Sequence, residues 1–143
     1  MKKILFTLLL IIYANLSFAE SHMQADSFAV VLKVPAEEVE KIESLIDSHH
    51  DFMHRDHSLS GENRLNSYSV IKGFEYKDPT DPSKGLTGNV YYFLSEHYQT
   101  PMGLQMHMEA GENWDGIAEM QSMMFQYGLA IAWPGEVIAK MNR

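Results

Sequence analysis

Residues 89–98 read NVYYFLSEHY, a run rich in aromatic and β-branched side chains that contains no glycine or proline. In an extended chain, Val90, Tyr92, Leu94, Glu96 and Tyr98 share one face, and Tyr91, Phe93, Ser95 and His97 share the other. Both faces are bulky, so both need cover. The run SFAVVLKV (27–34) is β-branched, alternates in part and is also largely apolar on both sides. Strands of this kind belong inside a sheet with material packed against each face.

The segments between them supply only part of that cover. Pro35 ends the first strand, and AEEVEKIESLIDSHHDFMHRDH (36–57) follows with helical spacing. Val39, Ile42, Leu45, Ile46, His49, Phe52 and Met53 recur at intervals of three and four. Glu37, Glu38, Glu40 and Glu43 gather at the start, where the helix dipole favours negative charge. Ser60-Gly61 closes this helix, and LNSYSVIKGFEYK (65–77) returns to strand composition.

Two prolines and two glycines in DPTDPSKGLTG (78–88) mark a long hairpin loop. After the aromatic strand, Thr100-Pro101 is a helix-start signal, with threonine as cap and proline at the first helical position. Helix is expected from Met102 to about Tyr127, with a kink or a division near Gly111-Glu112-Asn113, where the apolar face shifts. LAIAW (129–133) reads as a last core strand, Pro134-Gly135 as a turn and residues 136–141 as a short strand or tail.

The order is βαββαβ, an α+β pattern shared by the ferredoxin-like architecture: an antiparallel sheet with helices on one face. Helices on one face leave the other bare. A second copy of the chain is the simplest cover, so a homodimer with sheets packed face to face is expected.

The chain opens MKKILFTLLLIIYANLSFAE, with two lysines, an apolar run and Ser17-Phe18-Ala19. That layout predicts a signal peptide over 1–19 and a periplasmic or secreted protein, with one domain over 27–141 and no membrane segment after cleavage. Loss of Lys2 and Lys3 takes the formal net charge from −8 to −10. So acidic a surface repels nucleic acid and anionic lipid. With no cysteine, disulfides and thiolate metal sites are excluded.

The stretch YYFLSEHYQTPMGLQMHME (91–109) resembles the dimeric α+β barrel superfamily, which includes the antibiotic-biosynthesis-monooxygenase-like domains. Members often carry an aromatic strand with a glutamate near its end, a short turn, and a helix with a histidine one or two turns in. Glu96 and His107 stand at those places, and by element order the resemblance spans 27–141. It implies a cofactor-independent oxygenase of aromatic or quinol-type molecules, with His107 as base and Glu96 orienting it. Trp114, seven residues beyond His107 and hence on nearly the same helix face, is a candidate ligand contact, although its spacing departs from the asparagine, tryptophan and histidine set of the related haem-degrading branch.

HHDFMHRDH (49–57) holds four of the seven histidines. On a helical wheel His49 falls in the apolar stripe, as core or interface histidine. His50 and His57 lie at its edge and are candidate ligand contacts, while His54 turns towards solvent. His50 and His54, four apart, could pair on a metal, but such pairs are common on solvated helix faces. Tyr68, Phe74, Tyr76, Tyr91, Tyr92, Phe93 and Tyr98, with the methionines, could line an apolar pocket or fill a core. Tyr92 is the candidate contact among them.

No HExxH, nucleotide fingerprint, phosphate loop or nucleophile elbow appears, so the sequence assigns no cofactor and no metal. Two functions are expected. The first is a monooxygenase-like enzyme acting on a small aromatic or quinol-type molecule. The second is a non-catalytic periplasmic module that binds a small ligand, haem or metal through the histidine-rich helix.

Overall fold

A computed structural model describes residues 25–141, and the signal peptide expected at 1–19 lies outside them. The strands are β1 (Ser27–Val34), β2 (Leu65–Tyr76), β3 (Leu86–Tyr98) and β4 (Gly128–Gly135). The helices are α1 (Val39–Asp56), α2 (Pro101–Gly111) and α3 (Ile117–Tyr127). The strands form one antiparallel sheet in the order β2-β3-β1-β4, so each helical connection crosses over one strand. This α+β arrangement is compatible with a ferredoxin-like fold. Among the described residues no helix is long and apolar enough to cross a membrane.

Alternation along the strands builds the core. Val30, Leu32 and Val34 of β1 and Val90, Tyr92, Leu94, Glu96 and Tyr98 of β3 are buried on the face that carries the helices. α1 closes over them with Ile42, Leu45, His49, Phe52 and Met53, the three- and four-residue spacing expected from sequence. The shift of apolar face near Gly111 resolves into two helices, α2 and α3.

On the opposite face, Ile71 is 62% exposed and Phe93 45% exposed. The same face holds a polar network around Glu75 of β2. Its carboxylate accepts from Lys33 Nζ at 2.6 Å and from Thr87 Oγ1, Asn89 Nδ2 and Tyr91 OH, each at 2.7 Å. These donors hold the Glu75 carboxyl well below the usual carboxylate range, Asn89 first and Lys33 next.

Several boundaries differ from expectation. α1 ends at Asp56, and His57 follows with extended backbone. β3 begins at Leu86, so the hairpin loop is shorter than its Pro/Gly composition suggests. The strand around LAIAW is an exposed edge strand rather than a core strand, because it pairs with β1 alone. Pro134-Gly135 belongs to that strand instead of a turn, and residues 136–141 form no regular element.

Candidate functional site

Three elements deliver the site. The register of β3 sets Glu96 opposite Phe28 of β1 and Tyr68 of β2, with its side chain under the helices. α1 contributes His49 from the middle of its buried stripe. α2 starts where Thr100 Oγ1 accepts from the Gly103 N–H, with Pro101 in the first turn, and this places His107 over Glu96. The first turn of α2 also lies tight against the 57–64 loop. At Gly103 a Cβ would come within 2.7 Å of the Asn63 carbonyl oxygen. Thr100 Oγ1 donates to Asn63 Oδ1 at 2.7 Å across the same seam.

Glu96 is 2% exposed and stands between two imidazoles. Its Oε1 is 3.7 Å from His49 Nε2, and its Oε2 is 3.3 Å from His107 Nε2. Tyr98 OH donates to Oε2 at 2.9 Å. The outer ring nitrogens are engaged as well: His49 Nδ1 meets Tyr68 OH at 3.1 Å, and His107 Nδ1 meets His57 Nε2 at 2.8 Å. His57 Nδ1 is buried and, among the described residues, has no partner within hydrogen-bonding geometry.

Burial dominates the electrostatics, because each charged form loses hydration that its neighbours replace at most in part. It pushes Glu96 up to about 7, with the Tyr98 hydrogen bond pulling the other way. It lowers His107 to about 3 and His49 to about 4, helped in each case by the other histidines. His57 is lowered too, again by burial, while the nearby Met53 carbonyl and Asp56 oppose the shift. At neutral pH the site therefore holds neutral imidazoles around a carboxyl poised between its two states.

His49, Glu96 and His107 line a cavity of about 80 Å³ between helices and sheet. Its apolar walls include Phe28, Phe52, Trp114, Ile117 and Met124. No family model, curated protein or solved structure matches this chain. The chemistry of the site follows from its own atoms.

The expected pair, Glu96 and His107, is brought together. Trp114 lines the cavity and stacks on Phe52, with ring centroids 5.4 Å apart, but it does so from the turn between α2 and α3 rather than from a continuous helix face. His57 touches His107, though not by the helical geometry expected of it, since α1 has already ended.

His50 and His57 do not converge. His50 packs against His54, with centroids 4.5 Å apart, and the two line a separate groove with Leu59 and Tyr68. Tyr92 is also away from the cavity: it is buried elsewhere in the core and donates to Glu43 at 2.7 Å. The sequence reading missed His49, Tyr68 and Tyr98 as members of the cluster. Two signals pointed to His49 and Tyr98: a titratable residue inside an apolar stripe, and a tyrosine two residues from Glu96 on the same strand face.

Proposed function

We propose that the protein binds a small, largely apolar molecule in this cavity and moves a proton between it and the buried cluster. The reaction class is the cofactor-independent, monooxygenase-like chemistry implied by the antibiotic-biosynthesis-monooxygenase resemblance. One observation carries the reading: two neutral imidazoles and a carboxyl share a cavity whose other walls are mostly apolar.

The roles expected from sequence are exchanged. An imidazole held near 3 is a poor base at neutral pH, whereas a carboxyl near 7 is matched to the task. Glu96 thus takes the proton of a substrate hydroxyl, and the electron pair stays on the substrate oxygen. His107 and Tyr98 position Glu96. The electron-rich anion then forms a carbon–oxygen bond to dioxygen, Glu96 returns its proton to the resulting peroxide, and O–O cleavage with loss of that carbon's hydrogen leaves a carbonyl and releases water. A cavity of about 80 Å³ is smaller than the ~150 Å³ that holds benzene, so a ring-sized substrate enters by displacing flexible walls such as Met108 and Met124.

The open face bearing Ile71 and Phe93 is assigned to a homodimer of the dimeric-barrel type in an exported protein. Light scattering tests this part, and a stable monomer overturns it. For the reaction, oxygen uptake is measured with a panel of small quinols. Uptake should vanish in Glu96→Gln and fall in His107→Ala. Uptake unchanged in Glu96→Gln overturns the base assignment, and none with any quinol overturns the oxygenase reading.

A further inference from the structure

We propose that His49 Nε2, Glu96 and His107 Nε2 together bind one divalent first-row transition metal ion, with its remaining positions turned to the cavity. This goes beyond the oxygenase reading and does not depend on it. Two imidazoles and one carboxylate form a donor set that holds zinc or iron(II) with coordination positions left open.

The distances fit an ion better than they fit direct pairing. One ligand atom from each residue lies within 4.8 Å of the others. Ligands at ~2.0–2.2 Å from a common ion stand roughly 3.0–3.5 Å apart, so small side-chain movements close the set. The contacts of 3.7 and 3.3 Å to Glu96 are longer than the ~2.7–2.9 Å of charge-assisted hydrogen bonds. The three side chains converge on a point, with contacts to Glu96 longer than strong direct pairing would give.

The outer shell agrees. Both histidines present Nε2 to that point, and both have Nδ1 held from behind, by Tyr68 OH and by His57 Nε2. Partners on the far nitrogen fix the ring and its tautomer, which is how ligating histidines are supported. Tyr98 fixes one carboxylate oxygen in the same way. Burial keeps both imidazoles unprotonated, with lone pairs free for an ion. The competing pair, His50 and His54, offers two nitrogens on an exposed helix turn and no carboxylate in its groove.

The chelator-stripped protein is titrated with Zn(II) by calorimetry and with Co(II) by visible absorption. One ion per chain is expected. Affinity should fall beyond ~100-fold in Glu96→Gln and roughly 10-fold in Tyr68→Phe, an outer-shell change. It should be unchanged in His50→Ala/His54→Ala, with circular dichroism confirming the fold of each variant. Binding that survives Glu96→Gln, binding lost in the His50/His54 double variant, or no binding at all overturns the site. Redox-inert Zn(II) also separates the two proposals. Zn(II) occupies Glu96, so it should suppress quinol-dependent oxygen uptake, whereas binding without uptake in either state leaves the metal site standing and removes the oxygenase.

Discussion

Glu75 and Glu96 sit on adjacent strands of one sheet and point to opposite faces. Glu75 has four donors among the described residues and a side chain 17% exposed, and its carboxyl is driven far down. Glu96 has one hydrogen-bond donor and almost no solvent, and its carboxyl is driven up to about 7. The same side chain is thus a fixed anion on one face and a carboxyl near its titration midpoint at neutral pH on the other. What differs is hydration, the number of donors and the Lys33 ammonium, which stands 2.6 Å from the Glu75 carboxylate. A sheet with one covered and one uncovered face provides both environments within a few residues.

The largest expected difference is in stability. Glu96→Ala leaves the Tyr98 hydroxyl buried without its acceptor, a cost of about 1–3 kcal/mol. Glu75→Ala leaves its donors partly open to water, so its loss should be smaller. Urea midpoints check the ranking, and equal losses would erase the contrast between the faces.

A smaller effect is the pH response of the chelated protein. Between about 4.5 and 7, folded Glu96 keeps a proton that the unfolded chain releases, so its contribution to stability falls as pH rises. His49 and His107 act oppositely. The unfolded chain protonates them below about 6.5, and the folded one only near 4 and 3, so their contribution is lost as pH falls. Two histidines outweigh one carboxyl, and stability should decline from pH 6.5 to 4.5. Glu96→Gln removes the opposing part and should steepen that decline. A shallower slope in the variant contradicts the raised Glu96. Glu75 adds a loss only below the ordinary carboxylate range, because its folded carboxyl is depressed.

The smallest expected effect is a further rise in the Glu96 midpoint in Tyr98→Phe, since that hydroxyl is the group pulling it down. Carboxyl-stretch infrared titration reads it directly. A fall in the midpoint would mean that Tyr98 acts as acceptor rather than donor.

Much of the frame was legible because it is local. Alternation placed Glu96 on one face with Val90, Tyr92, Leu94 and Tyr98, and Thr100-Pro101 launched the helix that carries His107. His49 was legible only as a histidine in an apolar stripe, because its partner lies 47 residues away and their meeting depends on sheet register and helix docking. His57 was misplaced because helical spacing was carried one residue past the end of α1. Tyr92 shows the limit of alternation, which gives the face of a strand but not the position along it where a cavity lies. The apolar look of LAIAW could not tell an edge strand from a central one, since that depends on what pairs with it.

The seam at Gly103 gives the cluster a remote adjustment screw. The 57–64 loop carries His57 and α2 carries His107, and their contact depends on two backbones meeting where no methyl group fits. Gly103→Ala would wedge them apart without altering a single polar atom of the site. The spacing of the two rings, and with it the support behind His107, is thus set by an absent side chain about one helical turn before His107.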